Sequence, residues 1–163
     1  MTIRKADLSK DYDGIWEIFS TVISTGDTYA FSPETPKEDL SKIWFAPGMD
    51  TFVACNEHGE IIGTYFIKPN QLGLGNHIAN CGYMVSPNAR GQGVGRTMCE
   101  HSQQYAIEKG FRGIQFNIVV STNEGAVRLW RQCGFSIIGT TPKGFKHRQL
   151  GYVDSHIMFK ALF

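Results

Sequence analysis

The segment VSPNARGQGVGR, residues 85–96, places three glycines between two arginines directly after an apolar run. Because glycine has no Cβ, the main-chain N–H groups of such a stretch can converge on one anion. Arg90 and Arg96 flank the glycines and add positive charge to the same place. The residue types and their spacing therefore predict a loop that binds a phosphate group.

Two familiar phosphate loops fit this segment poorly. A P-loop reads G-x-x-x-x-G-K-[ST], whereas GQGVGRT contains no lysine. A dinucleotide-binding loop reads G-x-G-x-x-G, whereas Arg96 stands where the third glycine belongs and the next strand ends without the expected acid. Neither nucleotide loop is therefore favoured. A turn without a ligand is not favoured either, because it would not explain the two arginines that flank the glycines.

The elements on either side of the glycine loop are a predicted strand and a predicted helix. HIANCGYMV is an apolar run typical of a strand, and apolar and small side chains recur at helical spacing over residues 94–106, before Gly110. The unpaired N–H groups at the start of that helix, together with its dipole, favour an anion. The loop is thus expected at a helix N-terminus, which suits a phosphate.

The rest of the chain is predicted to form further strands and helices. A strand at TIRKA is followed by a helix that ends at Gly26 and a shorter helix that begins at Pro36. TFVACN, EIIGTYFIK and HIANCGYMV form a meander, GIQFNIVV is a strand, and STNEGAVRLWRQCGF begins with a Ser-x-x-Glu capping box. Two last strands, over residues 136–141 and 152–160, flank the loop PKGFKHRQLG.

The composition limits the classes of partner. Lys and Arg number 16 against 15 Asp and Glu, so no overall field attracts nucleic acid or a membrane surface. The cysteines are far apart and the histidines lack metal-ligand spacing, so we expect free thiols and no metal. No segment resembles a signal peptide or a membrane span, which predicts a cytoplasmic protein. Without linkers or repeats, residues 1–163 are expected to form one domain.

The hexapeptide RGQGVG matches the [QR]-x-x-G-x-[GA] signature of the GCN5-related N-acetyltransferase (GNAT) superfamily, whose loop holds the pyrophosphate of coenzyme A. The later segment N..AVRLWRQCGF and the order of the elements resemble that superfamily as well. The resemblance implies a mixed α/β fold of the α+β type, with a mixed, largely antiparallel sheet of about seven strands and about four helices. It also implies that strands 4 and 5 splay apart and that the pantetheine arm lies between them.

The resemblance further implies acetyl-coenzyme A as the cosubstrate. The residues expected to bind it are Val85, Arg90, Gly91, Gln92, Gly93, Val94, Gly95, Arg96 and Asn123. Main-chain N–H groups of the loop would hold the pyrophosphate, whereas Asn123 would reach the arm. An amine would then attack the thioester directly, a reaction in which alignment and stabilisation of the oxyanion matter more than a strong base.

The position four residues before Gly134 departs from the common superfamily pattern. Tyrosine is frequent there and is proposed to protonate the leaving thiolate, but this chain has Trp130, whose indole N–H is not a useful acid. By residue type, Tyr83, Tyr105 and Tyr152 are replacements, and Tyr83 is retained as a catalytic candidate. A coenzyme A thiolate can also leave unassisted.

Two asparagines inside apolar strands are the other catalytic candidates. Asn80 and Asn117 are unfavourable in such strands unless they are hydrogen-bonded. They either form internal bonds or face solvent, or they line the splayed strands and hold a small polar substrate. The stretch FNIVVSTNEGAVRLWRQCGF is similar to that of the yeast azetidine-2-carboxylate acetyltransferase group, in which asparagines matching Asn117 and Asn123 belong to the active site.

These observations together predict an acetyl-coenzyme A-dependent N-acetyltransferase that acts on a small amine, such as an amino acid or an analogue. An acetyltransferase for a peptide N-terminus or a lysine side chain is one alternative, and a non-catalytic sensor of acyl-coenzyme A is another. The basic cluster KGFKHR, residues 143–148, is expected to border the acceptor site, where its charge would hold a substrate carboxylate. A homodimer is the expected assembly.

Overall fold

The computed structural model describes residues 1–163, which form seven strands and four α-helices. The strands are β1 (Thr2–Lys5), β2 (Asp50–Cys55), β3 (Ile61–Pro69), β4 (Ile78–Val85), β5 (Gly113–Val120), β6 (Ser136–His147) and β7 (Gly151–Ala161). The helices are α1 (Leu8–Ser24), α2 (Leu40–Ile43), α3 (Val94–Glu108) and α4 (Glu124–Gln132). No helix has the length and apolar character needed to cross a membrane.

All seven strands belong to one sheet with the order β1-β2-β3-β4-β5-β7-β6. Every neighbouring pair is antiparallel except β4 and β5, which are parallel. The fold class expected from the sequence, a mixed and largely antiparallel sheet with four helices, is therefore confirmed.

Helices cover both faces of the sheet, because alternate strand residues point to opposite sides. On β2, Phe52 belongs to a core that includes Met98 of α3, whereas the next residue, Val53, belongs to a core that includes Phe19 of α1. Helix α1 begins where the carboxylate of Asp7 accepts a hydrogen bond of 2.9 Å from the N–H of Ser9. The sheet thus separates an α1–α2 side from an α3–α4 side.

Strands β4 and β5 pair along only part of their length. Their ladder joins residues 78–80 to residues 113–115 and then stops. Beyond it, β5 carries a bulge between Phe116 and Val119 against β7, and a bulge of this kind bends a strand away from its neighbour. The predicted splay between strands 4 and 5 is therefore present, and it opens a gap through the sheet.

The predicted loop PKGFKHRQLG lies largely within β6, which extends to His147, so that prediction was wrong. Between Thr141 and Phe145 the β6–β7 register shifts, and Lys143 has a φ of 54°. The N–H of Lys143 is hydrogen-bonded to the carboxylate of Asp154 at 2.9 Å, and pairing with β7 resumes at the buried Phe145. Proline and glycine read as a loop in the sequence, but here they occupy a bulge on an edge strand.

Candidate active site

A cavity of about 330 Å³ fills the gap between β4 and β5. Its walls come from residues 28–31 after α1, from β4 and β5, and from one side of α4. Twelve of its 17 lining residues are hydrophobic and none is charged, so a ligand in the cavity is held by shape and by a few polar groups. Gly82 leaves room for the ring of Phe66, since a Cβ at Gly82 would lie 2.6 Å from that ring.

The glycine loop lies at the start of α3, as the sequence predicted. Gly93 is the residue that precedes the helix, with a φ of 80°, and Gly91 has a φ of 76°. No atom lies within 4 Å of where a Cβ would stand at either glycine, and no side chain caps the first N–H groups of α3. Open space in front of uncapped N–H groups at a helix start fits a pyrophosphate.

The remaining residues of the loop have different surroundings. Gly95 faces α4, where a Cβ would lie 3.1 Å from Leu129, so this glycine also lets two helices pack closely. The side chain of Val94 is buried in the core, which leaves only its main chain for a ligand. Arg96 donates a hydrogen bond of 2.7 Å to Gln132. The side chain of Gln92 donates to the main-chain oxygen of Asn88 at 3.2 Å, and Arg90 is exposed.

Asn123 lines the cavity and also begins α4. Its side-chain oxygen accepts a hydrogen bond of 3.3 Å from the N–H of Ala126, which leaves its NH₂ group available to a ligand. The predicted capping box placed Ser121 at this position, and that prediction was wrong, because the helix begins two residues later. An asparagine provides the same kind of acceptor as a serine at a helix start.

Asn80 and Asn117 both line the cavity, and both have partners within the chain. The NH₂ group of Asn80 donates to the main-chain oxygen of Gln115 at 2.9 Å. The NH₂ group of Asn117 donates to Asn70 at 2.8 Å, and its oxygen accepts from the side chain of Gln115 at 3.1 Å. Asn117 lies in the β5 bulge and is exposed at the rim. Their roles in catalysis stay predictions.

Tyr83 contributes its ring to the cavity and its hydroxyl to the core. The hydroxyl lies 2.7 Å from the hydroxyl of Ser102 on α3. Burial raises the pKa of Tyr83 well above its ordinary value, which makes this side chain a weaker acid. Trp130 lies over it, with ring centroids 5.0 Å apart. Of the other two tyrosines, Tyr105 is bonded to Asp50, and neither lines the cavity.

Sequence reasoning missed the wall formed by residues 28–31. Tyr29 and Phe31 stack with ring centroids 5.7 Å apart, and both line the cavity. The signal was present in the sequence, because TYAF places two aromatic residues in a stretch that is otherwise polar. The basic cluster KGFKHR supports this wall rather than lining the cavity. Arg148 donates to the main-chain oxygen of Ser24 at 2.8 Å and so fixes the chain just before the wall.

Sequence reasoning also missed Lys68, a cation whose neighbours Asn80 and Phe66 line the cavity. It lies directly opposite Asn80 in the β3–β4 ladder, and its ammonium is 5.8 Å from the ring centroid of Phe66. Both neighbours line the cavity. Lys68 is half-buried and takes part in none of the seven ion pairs of the chain.

Comparison with known proteins decides the family. The model of the acetyltransferase (GNAT) family matches residues 12–135. This chain belongs to the GNAT family. N-acetyltransferase aca1 of Schizosaccharomyces pombe is 36% identical to it over 98 residues, which are 60% of this chain and 47% of that protein. The chain therefore spans about half the length of this curated relative.

Solved structures of GNAT proteins superpose on nearly the whole chain. A GCN5-related N-acetyltransferase from Kribbella flavida is 40% identical, with a TM-score of 0.93 over 98% of this chain and 96% of that one. A GNAT superfamily phosphinothricin acetyltransferase from Sinorhizobium meliloti, solved in complex with acetyl-coenzyme A, has a TM-score of 0.87 over 98% and 87% of the two chains. At 20% identity, the second likeness shows the fold alone.

The residues around the gap between β4 and β5 fit acetyl-coenzyme A. The glycine loop would take the pyrophosphate, and Asn123 at the start of α4 has a free NH₂ group for the pantetheine arm. The cavity between the two strands is lined by aromatic rings, including Tyr83 and Trp130. The chain offers no group of three or more His, Cys, Asp or Glu side chains arranged to hold a metal ion.

Proposed function

We propose that this protein is an acetyl-coenzyme A-dependent N-acetyltransferase whose acceptor is a small amine that carries a carboxylate, such as an amino acid or an analogue. The observation that supports this most strongly is the cavity between β4 and β5, which is small, mainly apolar and without a charged lining residue. A second observation, the position of Lys68, supports the carboxylate.

The size of the cavity favours a small acceptor. Its volume of about 330 Å³ is at the lower end of the range for ligand cavities. The same cavity has to hold both the reacting end of the thioester and the acceptor. A peptide or a lysine side chain on a protein would need an extended or acidic groove. The lining contains no acidic residue that would attract such a basic substrate.

Lys68 is suited to hold an anionic group on the acceptor. The ammonium of this half-buried lysine has no carboxylate partner and is available to a ligand, and a charge-assisted hydrogen bond is stronger than a neutral one. Because Lys68 is directly opposite Asn80, a carboxylate at Lys68 would place the rest of a small molecule against Asn80 and the ring of Phe66.

The chain would contribute to the reaction mainly by positioning. Acetyl-coenzyme A supplies the acyl group. The amine nitrogen bonds to the acyl carbon, the carbon–sulfur bond breaks and coenzyme A leaves as its thiolate, and the proton lost by the nitrogen passes to solvent or to that thiolate. Main-chain N–H groups along the open edge of β4 would stabilise negative charge on the acyl oxygen, and the aromatic walls would exclude water. A free α-amine has a pKa of about 8, so a fraction of it is neutral at pH 7 without a strong base.

The location and the assembly are parts of the same proposal. Four free, buried cysteines suit a reducing compartment such as the cytoplasm. A homodimer remains our expectation for the assembly.

Thiol release from acetyl-coenzyme A in the presence of separate amines tests the proposal. We expect release with free amino acids that rises with amine concentration, and little release with peptides blocked at the N-terminus that present only lysine. Release with peptides and not with amino acids would favour the peptide alternative. Binding of acetyl-coenzyme A without release by any amine would favour the sensor.

A further inference from the structure

The side-chain hydroxyl of Tyr29 is hydrogen-bonded to both the N–H and the carbonyl oxygen of Tyr83, in the part of β4 that is not paired with β5. The hydroxyl of Tyr29 donates to the main-chain oxygen of Tyr83 at 2.6 Å and accepts from the N–H of the same residue at 2.7 Å. Burial raises the pKa of Tyr29 above its ordinary value, so the hydroxyl is neutral and can do both. In a regular sheet the neighbouring strand makes such bonds, and here a side chain replaces it.

The main chain of Tyr83 faces the gap rather than β3. The N–H of Ser86 is bonded to the oxygen of Ile62 at 2.9 Å, so even-numbered residues at this end of β4 direct their main-chain groups toward β3. Odd-numbered residues, including Tyr83 and Val85, therefore direct theirs toward β5. Because the ladder with β5 stops at Asn80, these groups lie along the path proposed for the acyl-thioester arm.

Thr28, the residue before Tyr29, has a polar group in this wall that lacks a hydrogen-bond partner. The hydroxyl of Thr28 is buried and has no hydrogen-bond partner, and it is the only buried side-chain nitrogen or oxygen in the chain without one. An unpaired buried hydroxyl is unfavourable. Thr28 lines the cavity, so a ligand or a shift of the wall would give this hydroxyl a partner.

The wall is fixed at its two ends. Before it, the N–H of Arg148 is bonded to the oxygen of Gly26 at 3.0 Å. After it, the hydroxyl of Tyr12 donates to the oxygen of Lys37 at 2.5 Å. Between these points, Tyr29 provides the polar contact with β4. A change at this one hydroxyl can therefore alter the wall without detaching its ends.

We propose that Tyr29 holds the place of the acyl-thioester arm on the main chain of Tyr83. When the arm binds, the acyl oxygen accepts from the Tyr83 N–H, and an amide N–H of the pantetheine donates to the Tyr83 oxygen. Tyr29 is then a positioning residue whose hydroxyl is released toward the acceptor only when the acyl donor is present. The inference rests on the proposed use of acetyl-coenzyme A.

Calorimetric titration of Tyr29→Phe with acetyl-coenzyme A tests the exchange. Removing the hydroxyl leaves the Tyr83 groups unpaired in the free protein, so the variant should melt at a lower temperature. It should also bind acetyl-coenzyme A about five- to tenfold more tightly, because the ligand no longer displaces a hydrogen bond. Tyr12→Phe is the matched control: it loses a bond to a main-chain oxygen outside the gap, and its affinity should be unchanged.

Unchanged or weaker binding by Tyr29→Phe would overturn the inference while leaving the proposed function intact. A wild-type protein that does not bind acetyl-coenzyme A would overturn both. Hydrogen exchange of the wild-type protein is a second test that needs no variant. Saturation with acetyl-coenzyme A should speed exchange in peptides from residues 25–36, whereas unchanged or slower exchange there contradicts the proposal.

Discussion

The side-chain amide of Asn80 donates a hydrogen bond of 2.9 Å to the main-chain oxygen of Gln115, at the last residue pair that β4 and β5 share. Beyond this pair the two strands separate. Asn80 therefore provides a hydrogen-bond donor to a carbonyl at the point where the ladder ends, and it also lines the cavity. An amide in an apolar strand, which looks unfavourable in the sequence, has a defined structural partner here.

We expect Asn80→Ala to lower the free energy of unfolding by about 1–3 kcal/mol, because the oxygen of Gln115 loses its donor. Asn80→Asp should destabilise at least as much at pH 7, since a carboxylate cannot donate to a carbonyl. Urea denaturation of the three proteins measures both effects. An aspartate variant as stable as the wild type would show that this hydrogen bond does not hold the strands.

Asn117 offers a test of whether a rim amide also contacts the acceptor. Asn117→Ala should lower kcat/KM for the amine about ten- to a hundredfold if the acceptor loses a hydrogen bond, while the affinity for acetyl-coenzyme A stays the same. Asn70→Ala is the matched control, because it removes the same internal bond from a residue that does not line the cavity. Equal losses of kcat/KM in both variants would assign Asn117 a structural role.

The order of the elements was predictable because hydrophobic periodicity and helix-start signals are local. GIQFNIVV was predicted as a strand, and it coincides with β5. The end of β6 was not predictable, because Pro142 and Gly144 read as a turn unless the partner strand is known to resume pairing at Phe145. A bulge depends on what the neighbouring strand does, and a single segment does not contain that information.

The site was predictable where one short motif carries it. The position of the glycine loop at the start of α3 could be predicted from spacing alone, since uncapped N–H groups at a helix start are a local feature. The roles of Tyr29 and Lys68 could not be predicted in this way, because each depends on a residue in another element of the fold. Tyr29 contacts Tyr83, and Lys68 is paired with Asn80 across the ladder. These relationships exist only in the folded protein.

Gly93 and Gly110 form a matched pair for testing the phosphate loop. Both have a φ near 80°, neither has an atom within 4 Å of a would-be Cβ, and they lie at opposite ends of α3. A valine at either position should destabilise the fold by about 1–3 kcal/mol through backbone strain. Only Gly93→Val should weaken the binding of acetyl-coenzyme A, as measured by calorimetry. If the two variants bound acetyl-coenzyme A with equal affinity, the prediction that this loop binds the pyrophosphate would be wrong.

Trp130 is expected to pack beside the reacting groups and not to act as an acid. Its ring lies 5.0 Å from that of Tyr83 and 5.1 Å from that of Phe116. Trp130→Phe should therefore retain most of the activity, and Trp130→Tyr should gain little. Steady-state kinetics of both variants decide this point. A gain of about a hundredfold in the tyrosine variant would show that a general acid was missing.

The most direct test of the proposed acceptor compares kcat/KM for an amino acid and for its carboxamide, in the wild type and in Lys68→Met. Lys42→Met, which removes an exposed lysine of α2, is the control. We expect the wild type and the control to prefer the carboxylate about tenfold, because Lys68 forms a charge-assisted bond with it, and Lys68→Met to lose that preference. A wild type that does not distinguish the two compounds, or a Lys68→Met variant that keeps the full preference, would contradict the account.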